Sequence, residues 1–373
     1  MSNILIISSD FTGHGHKSIT ESLCEQFENY PDTNVHVVDG FALSGNIGIR
    51  VGKMYGSITR NAKDLWKIVW ELTSKRPRMV CEITELAIKD SFLELVDRVK
   101  PDVIVSVHPS FNCPVLNILG KNNIKIPFIT LIADLVNISS LWVDKRADYI
   151  ICPTEESKIK CLKFGVSKSK LKVFGFPIRK KFYEGMINSD ISKTYNGKKA
   201  LECLVMSGGE GSGNMGKIAK LLLKNYNCNV KIVAGRNKLL RLRLKQTFRE
   251  KYSGRVQVFG FVNNIHELMR ESDVVFTRGS PNTMMEAVAC NVPLIITGAL
   301  PGQEADNPGF AQKHSLGVMG NDLVKIKYAM NGLLANNAYT LNKIKRAQRK
   351  FANPDTAKDI VDFIINVPIT YYT

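Results

Sequence analysis

Short apolar runs, each closed by a turn of small or polar residues and followed by a helical stretch, recur along the chain in two series. Runs bounded in this way read as strands of a parallel sheet covered on both faces. The first series passes through 3–8, 35–39, 101–107, 126–132, 149–152 and 173–175. The second passes through 200–206, 231–234, 256–259, 273–276 and 293–297. Residues 183–199, rich in Asn, Ser, Asp, Lys and Gly, read as a linker. The predicted architecture is α/β, with two Rossmann-like, doubly wound domains over 1–182 and 200–352. A C-terminal segment, 353–373, adds a helix over 355–365. Ligands of open parallel sheets bind beyond the carboxyl ends of the strands. A cleft between two such domains is therefore the expected site.

The richest of the turns lie in residues 277–307. Gly279-Ser280-Pro281-Asn282 join a strand to a helix that begins near Thr283, leaving backbone N–H groups free for an anion such as phosphate. Glu286 stands one turn into that helix, within reach of a ribose. The next strand leads to Pro301-Gly302-Gln303-Glu304, and Asn307 follows; an amide, a carboxylate and a second amide suit sugar hydroxyls. A single corner of this kind often only connects two elements, and the pair is the stronger signal.

Other strand ends carry candidate chemistry. Gly13-His14-Gly15-His16 close the first strand; a histidine there either caps the loop or takes a proton near neutrality. Asp134 ends the 126–132 strand, as a helix cap or a functional carboxylate, with Trp142 eight residues on. His108-Pro109 read as a structural turn. Arg179, in Gly175-Phe176-Pro177-Ile178-Arg179, either clamps a diphosphate or forms a surface salt bridge. Gly208-Gly209-Glu210 open a glycine-rich turn that admits phosphate close to the backbone. The turn lacks the Rossmann dinucleotide spacing and a Walker lysine, so neither of those sites is indicated. Phe261 and Val262 follow a later strand, where Phe261 is either core or part of an exposed turn.

Composition bears on the partner. Lys and Arg number 51 against 34 Asp and Glu, a net charge of +17 that favours nucleic acid, anionic lipid or phosphorylated substrates. Residues 47–79 set Trp66 and Trp70 among Lys and Arg, either as a bilayer-facing stretch or as a solvated helix with its tryptophans packed inward. The 236–255 stretch reads as a basic surface helix. The eight cysteines show no metal-ligand or disulfide spacing, and reduced thiols are expected. The N-terminus lacks a signal peptide's basic flank, and no apolar run is long enough for a bilayer. A cytoplasmic protein, or one peripheral on the cytoplasmic face of a membrane, is expected.

These motifs together resemble the glycosyltransferase family of the monogalactosyldiacylglycerol synthases and processive diacylglycerol β-glucosyltransferases, related more distantly to the peptidoglycan GlcNAc transferase. The family's T-K-x-G-P-G-T-x-x-E-A is matched from Thr277 to Ala287, with Arg278 for Lys and Ser280 and Asn282 for glycines. Its P-G-Q-E-x-x-N stands intact from Pro301 to Asn307. His16 matches the His of G-x-G-H; Asp134 and Trp142 match T-D-x-x-x-H-P-x-W, in which Ser139 and Ser140 replace His and Pro. The resemblance implies a GT-B fold whose two domains face a central cleft, with the last helix crossing back to the first domain. It also implies inverting transfer of a hexose, with glucose favoured and galactose the alternative, from a UDP-sugar donor to diacylglycerol. No cofactor or catalytic metal is implied. His16 or Asp134 would be the base. Gly15, Arg179, Gly208, Gly209, Glu210, Phe261, Val262, Arg278, Ser280, Asn282, Thr283, Glu286, Gly302, Gln303, Glu304 and Asn307 would hold the nucleotide-sugar. Trp66, Trp70 and Trp142 would serve the acceptor and an anionic membrane surface. Another lipid or a soluble aglycone is the enzymatic alternative. A basic nucleic-acid-binding protein is the rival of another class, and glycines placed at strand ends disfavour it.

Overall fold

The computed structural model describes residues 2–10, 15–61, 63–187, 195, 199–207, 214–250 and 252–368. The chain divides into two units. Unit 1 comprises Met1–Arg179, Pro301–Gln303 and Asp355–Thr373; unit 2 comprises Lys180–Leu300 and Glu304–Pro354.

Unit 1 is built on β1 (Ser2–Ser8), β2 (Thr33–Asp39), β3 (Val103–Ser106), β4 (Phe128–Leu131), β5 (Tyr149–Cys152) and β6 (Leu171–Val173). These strands form one parallel sheet in the order β2-β1-β3-β4-β5-β6. Ile4, Leu5, Ile6 and Ile7 of β1 are wholly buried, which is why an unbroken apolar run rather than an alternating one marks this strand. Its helices are α1 (Gly15–Phe27), α2 (Gly45–Asn61), α3 (Lys63–Lys75), α4 (Pro77–Val99), α5 (Pro109–Lys121) and α6 (Glu155–Lys163). Thr154 and Ser157 form a capping box at the start of α6.

Unit 2 opens with α7 (Glu184–Ile187), a short helix inside the expected linker. Its strands are β7 (Leu201–Met206), β8 (Cys228–Val233), β9 (Val256–Phe259), β10 (Val274–Thr277), β11 (Leu294–Ile296) and β12 (Gly317–Met319). They too form a parallel sheet, in the order β12-β11-β10-β7-β8-β9. The helices here are α8 (Met215–Asn225), α9 (Lys238–Phe248), α10 (Ile265–Arg270), α11 (Pro281–Ala289), α12 (Asn307–Lys313) and α13 (Leu323–Phe351). The last helix, α14 (Thr356–Ile365), belongs to unit 1 and packs on α1. Tyr30 Oη donates to Asp362 Oδ1, and the Phe363 ring meets Tyr149 and Phe174.

Both sheets have a point where the strand order reverses: between β1 and β3 in unit 1, and between β7 and β10 in unit 2. Such switch points are where doubly wound sheets bind ligands, because adjacent connections leave to opposite faces and open a crevice. The first carries His16 and His108; the second carries Ser207 and the turn at Arg278.

The expectation of reduced cysteines is corrected at one pair. Packing of α4 against α5 brings Cys81 and Cys113 to a Cα–Cα distance of 5.7 Å, and they form a disulfide. A separation of 32 residues hid the pairing from the spacing.

Candidate active site

In unit 1 the His16 ring is held from one side. Its Nδ1 lies 2.6 Å from the Val107 carbonyl oxygen, just past the end of β3. A carbonyl only accepts, so the proton sits on Nδ1 and Nε2 keeps its lone pair. Desolvation lowers the His16 pKa to about 4, with the Val107 bond pulling the other way. The neighbouring His108 ring is centred 4.5 Å away, and burial together with the charge of His16 holds it well below its ordinary value. His108 also caps α5, accepting from Ser110 N, which bears out the structural reading of that turn.

Asp134 is buried just beyond β4. Its Oδ2 accepts from Trp142 Nε1 at 2.7 Å, and its Oδ1 accepts from Gln303 Nε2 at 2.9 Å. Trp142 is wholly buried, with its ring 6.0 Å from that of His16. Its assignment to a membrane surface is therefore corrected: the indole orients Asp134 and packs beside His16. Gln303 comes from Pro301–Gln303, the segment that belongs to unit 1. Asn137 Nδ2 donates to the Gly302 carbonyl. A Cβ at Gly302 would stand 2.3 Å from Trp70 Cδ1, and φ is +82°, so glycine is required twice over. Trp66 and Trp70 are half-buried, with ring centroids 6.3 Å apart, and Trp70 covers Gly302 rather than facing outward. Their outward-facing reading is corrected accordingly. Arg179 Nη1 bonds Glu21 Oε2 of α1 at 2.8 Å, the salt bridge rather than an uncommitted clamp. Gly15 begins α1, whereas Gly13 and His14 lie outside the described residues.

In unit 2 the two motif turns are tied together. Thr297 donates from N and Oγ1 to Thr277 O, and Gly279 N donates to Gly298 O at 2.8 Å. Arg278 Nε lies 2.9 Å from Glu304 Oε2, which also accepts from Leu300 N at 2.8 Å. Asn307 is wholly buried and donates to Gly279 O at 2.7 Å. Glu304 and Asn307 thus hold the phosphate-type turn in shape, and Asn307 Oδ1 is left without a hydrogen-bond partner. Arg278 faces Glu304 through Nε, which leaves its Nη groups outside that ion pair.

Beyond this clamp α11 begins at Pro281, which has no N–H, so Asn282 and Thr283 present the first ones. Ser280 and Asn282 are half-buried, Thr283 and Glu286 buried, and Asn282 Oδ1 has no hydrogen-bond partner. At the same carboxyl edge Phe261 is 47% exposed, which decides against core, and the Arg236 guanidinium lies 4.6 Å from its ring centroid. Val262 is half-buried beside it. Gly208, Gly209 and Glu210 lie outside the described residues. The sequence does not single out Asn137, a variable position within the 133–142 motif, or Arg236, the first residue of a stretch read as a basic surface helix; only the fold brings them to these turns.

Comparison with known proteins agrees with this division. Residues 16–178 match the monogalactosyldiacylglycerol (MGDG) synthase family model, and residues 212–305 match the glycosyltransferase family 28 C-terminal domain. A probable chloroplastic monogalactosyldiacylglycerol synthase of Glycine max is 29% identical over 378 residues, covering 96% of this chain and 70% of the relative. The enzyme of Spinacia oleracea is 28% identical, covering 96% and 71%. Among solved structures, MurG of Acinetobacter baumannii superposes with a TM-score of 0.64 at 12% identity, covering 98% of this chain and all of that one. The UDP-GlcNAc 2-epimerase of Neisseria meningitidis, bound to UDP-GlcNAc, gives 0.63 at 13%, with the same coverage. At such identities the structures speak to fold. The chain is a glycosyltransferase of GT-B fold, related along nearly its whole length to the monogalactosyldiacylglycerol synthases.

Proposed function

We propose that the chain transfers a hexose from a UDP-sugar to diacylglycerol with inversion, giving a β-glycosyl lipid, with acceptor chemistry in unit 1 and donor binding in unit 2. The observation that carries this is His16: its Nδ1–H is fixed on Val107, leaving Nε2 as an acceptor at a sheet switch point. The acceptor hydroxyl gives its proton to Nε2 as its oxygen bonds to the sugar's anomeric carbon. The bond from that carbon to the diphosphate breaks, and the electron pair leaves with UDP. The Asn282 and Thr283 N–H groups at the start of α11 receive the developing negative charge. Phe261 and Arg236 offer a stacking surface for the base, and Glu286 reaches the ribose. Asp134, with an oxygen bonded to each of Trp142 and Gln303, positions Gln303 toward the sugar rather than acting as base.

The family resemblance favours glucose with galactose as the alternative, whereas the plant relatives' names carry galactose. Work on diacylglycerol places the enzyme at a membrane surface, by the sequence expectation the cytoplasmic one. No helix among the described residues is long and apolar enough to cross a bilayer. The test is incubation with labelled UDP-galactose, UDP-glucose and UDP-GlcNAc in turn, with detergent-dispersed diacylglycerol, and chromatography of the lipid products. A labelled β-hexosyl diacylglycerol is expected. Transfer only to a soluble aglycone would replace the lipid acceptor.

A further inference from the structure

We infer that unit 1 docks on anionic bilayers through aliphatic stripes on α2, α3 and α4, and not through its tryptophans. Isolated exposed aliphatic side chains are ordinary, but regularly spaced series on consecutive helices are not. On α3 the exposed residues are Leu65, Ile68 and Leu72, each about half accessible and spaced i, i+3, i+7. Trp66 and Trp70 lie roughly 150° around the same helix at 100° per residue. They are the half-buried pair, one of them packed over Gly302. On α2 a stripe spaced i, i+4, i+7 falls on Ile47, Val51 and Met54, while Gly48 and Gly52 are buried. On α4, Met79, Ile83 and Leu86 are exposed, the last at 82%, opposite Cys81, Glu85 and Ile88 in the core.

The charge around these stripes selects the partner. Residues 45–86, which span the three stripes, carry eight Lys and Arg against four Asp and Glu, and one of the four, Glu85, is buried. Arg50, Lys53, Lys67, Lys75, Arg76 and Arg78 are exposed. Aliphatic tips among basic side chains fit a surface that is oily below and negative at its headgroups. The docking partner, as distinct from the stripes, rests on the lipid-acceptor reading: a diacylglycerol substrate stays in the bilayer, so the enzyme must come to it.

Co-sedimentation with phosphatidylglycerol-rich and pure phosphatidylcholine vesicles, at low and high salt, tests the inference. The parent protein is expected to pellet with the anionic vesicles, and less so at high salt. Leu65→Ser/Ile68→Ser/Leu72→Ser is expected to lower partitioning at least about tenfold, given three aliphatic side chains lost from the contact. Its melting temperature and UDP dissociation constant should hold, which shows the fold intact. Trp66→Ala/Trp70→Ala should change partitioning by less than about twofold, since half-buried rings contribute little to the outer surface. A triple variant that pellets like the parent overturns the inference, as does a parent that stays in the supernatant at low salt. A parent dimer that the triple variant converts to monomer also overturns it, since the face would then join two copies. If the stripes govern pelleting but no UDP-hexose is transferred to detergent-dispersed diacylglycerol, the docking face stands and the transfer reading falls.

Discussion

Trp142 Nε1 donates to Asp134 Oδ2 at 2.7 Å, with both groups buried. A buried carboxylate is costly unless its oxygens are bonded, and here one bond comes from the indole and the other from Gln303. The indole also packs beside His16, so one side chain touches both the proposed base and the residue that holds Gln303. Trp142→Phe keeps most of the volume and removes the donor. The expected loss of stability is about 1.5–3 kcal/mol, as for a hydrogen bond to a charged group. It is read as a lower melting temperature, together with a fall in kcat. A variant as stable and as active as the parent would remove the Asp134 link from the site.

Glu304 is expected to behave as scaffold. Its carboxylate faces Arg278 at 2.9 Å and caps Leu300 N in a nearly closed setting. Glu304→Ala strands a partly buried guanidinium and a backbone donor, which costs about 3 kcal/mol or more when a buried pair is broken. Thermal unfolding should shift down, and UDP affinity should weaken with it as the turn loosens. Glu286→Ala tests the ribose contact instead. It should weaken UDP binding by about 1.5–3 kcal/mol for a lost charged hydrogen bond, with the larger effect in calorimetry than in melting. An unchanged UDP dissociation constant in Glu286→Ala would take Glu286 out of the donor site.

The strand ends and their turns were legible in sequence because a parallel strand buried on both faces leaves a continuous apolar run, and a following Gly, Ser, His or Asp marks its exit. His16, Asp134, Ser280 and Gln303 were found on that ground. Their partners were not. Arg278 meets Glu304 and Gly279 meets Asn307 across separations that a linear motif presents as one list of polar groups. A motif reports that such residues occur, not which of them bond to one another and which remain open to a ligand. The direction of Trp66 and Trp70 was hidden for a related reason. Helical spacing shows that two residues share a face, and only packing tells whether that face is inside.

Gly302 offers a test of the close approach between two motifs. Gly302→Ala places a methyl group 2.3 Å from Trp70 Cδ1 at φ +82°. The left-handed conformation alone costs about 1–2 kcal/mol for a residue with a side chain. Turnover should fall because Gln303 moves with its neighbour. Trp70→Ala in the same protein frees the space but leaves the conformational cost, so rescue of kcat should be partial. Full rescue would mean that the backbone at 302 tolerates alanine; no rescue would mean that Trp70 is not what Gly302 accommodates.

His16 links stability and catalysis to pH in directions that follow from one cause. Burial lowers its pKa from the ordinary 6.5 to about 4. The unfolded chain therefore binds a proton that the folded one refuses between those values. Stability from this group is complete above about pH 6.5 and is lost as pH falls toward 4, by roughly 3 kcal/mol. His108 is shifted in the same direction, so it adds to the acid loss. His16→Asn should flatten the slope of stability against pH in this window while leaving the part of the His108 share that burial sets, measurable by denaturant unfolding at a series of pH values. As the base, His16 must be unprotonated, so the acid limb of kcat/KM should lie well below 6.5 and disappear in the variant, whose turnover should be about 10²–10⁴-fold lower. Turnover near that of the parent in His16→Asn, with a large loss in Asp134→Asn, would move the base to Asp134.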